Sequence, residues 1–244
     1  PKTKNTRGIP RQKSHEKYEE KCPSLSYFFK QARGESLFFV DGSEEVSAAS
    51  LRVLNAMDHK KTSVFYIQPD YEHMGGESER NERVVFHVLQ EYARSGVLAD
   101  IFLINKLNLE EALGHVSPID YDETISSAIA SSINLINYFS KTEPVVGTSN
   151  SPKEHEKIKT IGLVSYKESL EKTFFNLNIV LNKKYYYGMQ EEELKTDNEL
   201  LKKIREQVNK LSGDASSSYD VFPTNYAEPH VLCVLSTSVV QERK

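Results

Sequence analysis

The stretch Ser36–Ile67, SLFFVDGSEEVSAASLRVLNAMDHKKTSVFYI, constrains the fold of this chain more than any other. An apolar run (Leu37–Val40) passes through a polar turn (Asp41-Gly42-Ser43) into a segment with one-sided helical spacing (Glu44–Met57). A second apolar run (Val64–Ile67) follows. This is a strand–turn–helix–strand unit with its turn at the carboxyl end of the first strand. In open α/β sheets that edge binds ligands, and a helix starting there offers backbone N–H groups to an anion. Glu44 and Glu45 sit in the first helical turn, where negative charge suits the macrodipole but repels a phosphate. The turn therefore has two readings: a remnant phosphate-binding turn, or an ordinary strand–helix turn with a capping residue.

Around this unit the chain alternates apolar runs with helical periodicity. The basic stretch Pro1–Lys21 reads as a flexible or extended arm, and Pro23 with Leu25, Phe28 and Phe29 as a short helix. Asp70–Arg80 is a polar loop. Glu82–Ser95 has Val85, Val88, Leu89 and Tyr92 on one helical face, and Gly96 stops it as a C′ glycine would. Leu98–Ile104 is a buried-strand candidate, ended by Asn105 and Lys106, and Leu109–Leu113 a short helical turn. Ser117–Phe139 carries the longest helical signal, with Ser117 as N-cap, Pro118 at the first helical position and a stripe of Ile125, Ile129, Ile133 and Ile136. The polar, Pro/Gly/Ser-containing stretch 141–158 is a linker loop. Beyond it, Thr160–Tyr166 reads as a strand, Leu170–Leu181 as a helix and Lys184–Gly188 as a strand. Asn198–Leu211 reads as an amphipathic helix, and Val221–Asn225 and His230–Thr237 as strands. The expected domains are an arm at 1–22, an α/β domain at 23–140 that includes the helix 117–139, and an α+β domain at 159–244. The carboxy-terminal domain is expected as β-α-β-α-β-β, with helices on one face of a mixed sheet.

Composition narrows the function classes. At 244 residues with a net charge of -4, the chain shows no footprint of general nucleic-acid binding. Its two cysteines, Cys22 and Cys233, and its isolated histidines fit no metal or redox spacing. No apolar run approaches the ~20 residues of a membrane span, and no secretory signal is visible, so a cytoplasmic location is expected. No Ser-His-Asp or Cys-His signature is present, which leaves an unrelated α/β enzyme without a catalytic constellation.

The order of elements resembles the tubulin/FtsZ superfamily, the GTP-binding filament formers. VDGSEEVSAAS occupies the place of a phosphate loop between strand and helix. LADIFLINKLNLEEALG resembles the family's later strand, its polar turn and the leucine-rich segment after it. Ser117–Phe139 matches the long central helix in length, position and character, and Lys159–Val240 the mixed-sheet second domain. Thr6-Arg7-Gly8 is similar to a loop that flanks the nucleotide. The resemblance implies an α/β, tubulin/FtsZ-like fold, with a parallel-sheet, Rossmann-like part joined by the central helix to a smaller mixed-sheet α+β domain. It implies GTP or GDP at Asp41, Gly42, Ser43 and Asn105, with Asp120 or Asp122 toward the base. It further implies Mg2+ if hydrolysis occurs, head-to-tail self-association into filaments, and Glu154 and Glu156 acting on the nucleotide of the next subunit. Departures stand beside it. The family's first strand and first glycine-rich loop have no counterpart in this sequence, only Gly42 remains of the glycines in the turn, and Lys157 falls close to where a second acid is expected.

Bland readings stand next to the functional ones: Asn105 as a polar end to a buried strand, Glu154 and Glu156 as part of a solvated run, and Tyr185–Tyr187 as an alternating strand pattern rather than a binding platform. Two functions remain open: a GTP-dependent filament protein with GTPase activity, and a degenerate, non-GTPase scaffold that keeps the fold, binds no cofactor and works in an assembly with itself or other chains.

Overall fold

A computed structural model describes residues 8–30, 34–71, 74–114, 116–148 and 153–243. Thr6 and Arg7, and Ser149–Pro152 of the expected linker, lie outside the described residues. The chain forms two compact units, residues 1–105 with 239–244, and residues 106–238.

The first unit is built on three parallel strands, β1 (Ser36–Asp41), β2 (Thr62–Gln68) and β3 (Asp100–Asn105), in the order β1-β2-β3. Their register aligns Phe39 with Phe65 and Phe65 with Phe102. The three rings stack across the sheet with centroids 5.2 and 4.7 Å apart, a cross-strand ladder of large apolar side chains. Among the described residues, no strand pairs with the other edge of β1, and Leu37 and Phe39 are about half exposed there.

The helices of this unit depart from expectation in three places. The basic amino-terminal stretch carries a helix, α1 (His15–Lys21), capped by Ser14 and followed by the short α2 (Ser26–Phe29). Its one apolar anchor, Tyr18, is fully buried and packs with Ala48 and Ala49. A single anchor among charges carries almost no periodic signal. The segment after the Asp41–Ser43 turn is not one helix but a 3-10 turn, Glu45–Ala49, followed by α3 (Ser50–Leu54). The small residues Ser47, Ala48 and Ala49 are pressed into the interior there. Finally, α4 (Gly76–Arg94) begins well before the expected Glu82, because its first turns are polar and its inward face includes Asn81 and Glu82. Its end is as anticipated. Gly96 adopts φ 76°, its N–H reaches the Ala93 carbonyl, and the Val97 N–H reaches that of Tyr92, the two bonds of a Schellman motif.

In the second unit, α5 (Lys106–Leu113) and the long α6 (Tyr121–Lys141) precede the short strand β4 (Val146–Gly147), β5 (Ile158–Ser165), β6 (Leu170–Thr173) and β7 (Asn182–Gln190). Then come α7 (Glu191–Thr196), α8 (Leu200–Ser212), β8 (Ser216–Thr224) and β9 (His230–Thr237). The α6 helix starts after the expected Ser117–Pro118: Asp120 is its N-cap, without a side-chain capping bond, and Ser117 instead closes a turn by accepting from the Asp120 N–H. Ile125, Ile129 and Ile133 are buried as the stripe requires.

The predicted helix Leu170–Leu181 is absent. The chain turns back through Ser169, at φ 50°, into β6, which pairs antiparallel with β5. Leu170, Phe174 and Leu177 are spaced like a helical face, yet the Phe174 N–H extends the strand pairing by donating to the Ile161 carbonyl. The order after the linker is thus β-β-β-α-α-β-β. The sheet is mixed: β9 lies antiparallel between β5 and β7, β8 runs parallel to β7, and β4 closes on β8.

Tyr185 and Tyr187 are fully buried in the core that contains Leu200, Ile204 and Val208 of α8. Tyr186, on the opposite face, stacks with Phe139 of α6 and with Phe222. The tyrosine triplet is therefore an alternating core pattern, and helices cover both faces rather than one.

Candidate functional site

The Asp41-Gly42-Ser43 turn lies at the carboxyl end of β1, as its sequence requires, and its backbone donors are already engaged. The Gly42 N–H donates to the Ile67 carbonyl at 2.9 Å. The Ser43 N–H and hydroxyl both donate to Asp41 Oδ1, at 2.9 and 2.5 Å, and the Glu44 N–H reaches the Asp41 carbonyl at 3.3 Å. This is an Asx-type turn that satisfies itself. A phosphate-binding turn instead aims free N–H groups at its ligand. The elements that follow are a five-residue 3-10 turn and a five-residue helix, too short to sum a macrodipole of any strength.

Gly42 is buried, and a Cβ there would collide with the Tyr66 hydroxyl and come within 2.9 Å of Pro69 Cδ. The glycine thus serves close packing against β2. Beside the turn is a pocket of about 230 Å³, walled by Phe38, Val40, Val46 and Val53 with Asp41 and Glu44 at its polar end. Its described lining is mostly apolar, with Ser47, Ser50 and the two carboxylates as its polar members.

Behind Gly42 the carboxyl edge of the sheet is filled by a polar network. Tyr66 and Tyr71 both donate their hydroxyls to Glu82 Oε1, at 2.5 and 2.8 Å. Gln68 donates to the Tyr71 oxygen at 2.9 Å, and Asn105 donates to Gln68 Oε1 at 2.7 Å. The Glu82 carboxylate is fully buried, and its charge is met by Arg243, whose Nε lies 3.0 Å from Oε2. The same guanidinium reaches Glu79 at 3.2 Å and sits over the Tyr71 ring, 4.2 Å from its centroid. Burial, reinforced by the Glu82 charge, pushes the Tyr66 and Tyr71 phenols well above their ordinary range.

The structure thus brings Asn105 and the 41–43 turn to one sheet edge, joined through Gln68, Tyr71, Glu82 and Tyr66. In the second unit, Asp120 and Asp122 are exposed at the start of α6. Glu154 is exposed on the segment before β5. Glu156, two residues on, is 4% exposed. It accepts from the Lys153 N–H at 3.1 Å and from the Ser236 hydroxyl at 3.5 Å, so its carboxylate holds that segment to β9. A cleft of about 530 Å³ in this unit is lined by Asn134, Tyr138, Glu191, Thr224 and Tyr226 among others. Sequence reasoning missed the Glu82–Arg243 pair and this cleft. The one available signal is Glu82 itself, which α4 turns inward together with Asn81 and Gln90 and which in the sequence marks a helix start.

The parallel three-stranded unit with its ligand-type edge, together with the mixed-sheet unit, defines a tubulin/FtsZ-like α/β fold. The structure of an FtsZ W319Y mutant from M. jannaschii is similar at a TM-score of 0.67 and 13% identity, over 96% of this chain and 75% of that one. CetZ from Methanosaeta thermophila strain DSM 6194 is similar at 0.61 and 13%, over 95% and 69%. A GTPγS-form protofilament of Bacillus thuringiensis serovar israelensis TubZ is similar at 0.56 and 12%, over 89% and 66%. At these identities the likeness shows the fold. No family model and no curated protein sequence matches the chain. Among the described residues, no helix is long and apolar enough to cross a membrane.

Proposed function

We propose that this chain is a tubulin/FtsZ-fold assembly component whose self-association does not run on GTP held at the Asp41–Ser43 turn. One observation carries the reading. The N–H groups of Gly42, Ser43 and Glu44 are all spent within the turn and on β2, so a phosphate arriving there would have to break bonds before making any. Asp41 and Glu44 also bring two carboxylates to the same place, which disfavours a phosphate there. Glu156, whose carboxylate is used internally, contributes packing rather than chemistry.

The GTP-switched filament is the second reading. It is favoured by the GTPγS-form protofilament of the TubZ relative and by the position of the turn at the ligand edge of the sheet. In that reading Asp41, Gly42, Ser43 and Asn105 hold nucleotide, Asp120 or Asp122 meets the base, and Glu154 acts across the subunit junction with Mg2+.

Isothermal titration with GTP and Mg2+ separates the two, combined with sedimentation of the protein at increasing concentration with and without nucleotide. The expected outcome is no specific heat and the same pelleting curve in both conditions. Saturable GTP binding, or pelleting that requires GTP, overturns the proposal.

A further inference from the structure

The chain segment after β9 belongs to the first unit, and it is held there by two independent anchors. The Gln90 amide grips the backbone of Gln241 on both sides: Nε2 donates to the Gln241 carbonyl at 3.1 Å, and Oε1 accepts the Gln241 N–H at 2.7 Å. Two residues on, Arg243 supplies the positive charge beside Glu82. That carboxylate has no access to water, since Glu82 is 0% exposed. Its Oε1 fixes the hydroxyl of Tyr66, and that hydroxyl lies directly against Gly42. A continuous chain of contacts therefore runs from the carboxy-terminal segment, through one buried charge, to the turn at the ligand edge of the sheet.

We infer that residues Val239–Arg243 form a latch that holds the Asp41–Ser43 turn in its self-bonded conformation, acting through the Arg243–Glu82–Tyr66 relay. Arg243 is a positioning residue here, acting through Glu82 and Tyr66. The physical cause is the asymmetry of buried ion pairs: removing one partner leaves an uncompensated charge, whereas removing both leaves a neutral hydrogen-bonded site. Without Arg243, the buried Glu82 carboxylate is left uncompensated and must turn toward water, which withdraws the acceptor that keeps the Tyr66 hydroxyl under Gly42. With Gln at position 82 no charge remains to be compensated, and the amide oxygen still accepts from Tyr66. The latch accordingly makes the conformation of the turn depend on whether the carboxy-terminal segment is docked.

Amide hydrogen exchange of the whole chain, followed in the peptides that cover Val40–Ser47 and Val64–Gln68, tests the relay. Arg243→Gln is expected to speed exchange in these peptides by on the order of tenfold. The double variant Glu82→Gln/Arg243→Gln is expected to return them to within about twofold of the parent while exchange in the carboxy-terminal segment stays fast. Unchanged exchange in the turn of Arg243→Gln, or a double variant no better protected than the single, overturns the inference. If Arg243→Gln does not fold, the double variant carries the test alone. It is expected to fold with a protected turn, and an unfolded double variant or a fast-exchanging turn overturns the inference equally.

Discussion

At Gly42 the backbone has no positive φ to justify a glycine, and the side-chain volume decides instead. Any Cβ meets the Tyr66 hydroxyl and the Pro69 ring, and both are held, Tyr66 by Glu82 and the proline by its own ring. Gly42→Ala is expected to destabilise by about 1–3 kcal/mol, as overpacking of a well-filled site does. Tyr66→Phe is expected to cost about 1–3 kcal/mol for a different reason, since it strips a donor from a buried carboxylate. In the double variant the clash and the lost donor share one oxygen atom, so the two costs are expected to sum to less than their separate values. Urea unfolding midpoints of the four proteins measure this, and strict additivity would mean that the Tyr66 hydroxyl is not what excludes a side chain at position 42.

Strand β7 shows how burial of tyrosines translates into pH dependence. Tyr186 is pushed up from 10.0 to about 12, by burial first and the Asp220 charge second, and burial raises Tyr185 and Tyr187 further. The unfolded chain then loses phenolic protons before the folded one does. The stability from these groups is complete below pH ~10 and drains away as the pH rises toward 12 and beyond. Tyrosinate absorbance and circular dichroism followed together through that range are expected to change in a common transition. A full tyrosinate signal with the fold intact would show these phenols to be accessible.

The elements that could be read from sequence are those whose periodicity and capping agree, such as β2, the end of α4 at Gly96 and the amphipathic α8. The hairpin β5–β6 was illegible because its apolar spacing mimics a helix and its turn is made by Ser169 rather than by glycine. The candidate turn was legible as a place and not as chemistry. Whether N–H groups are free is settled by partners such as Ile67, which no local pattern announces. Least visible of all was the Glu82–Arg243 pair, whose members are far apart in the chain and neither of which belongs to a motif.

At the scale of the whole molecule, the described residues include an exposed feature that sheet proteins ordinarily protect. Leu37 and Phe39 stand on β1 at 48% and 49% exposure, on an edge unpaired among the described residues. Such an edge is a template for unspecific strand pairing. Phe39→Lys is expected to reduce concentration-dependent aggregation, measured by light scattering at rest and after mild heating. It should leave the melting transition within a few degrees, since only the outer ring of the three-phenylalanine stack is lost. More scattering in the variant would mean that Phe39 is needed for the sheet itself.

The two-segment composition of the first unit also sets an order for biosynthesis. As the chain emerges, the three parallel strands and α4 are made early, but the Glu82 carboxylate must wait for Arg243 through the synthesis of the entire second unit. The second unit, continuous in sequence, has no such wait and can close as soon as β9 is available. Until Arg243 is made, the nascent first unit therefore carries a buried-site acid without its counterion.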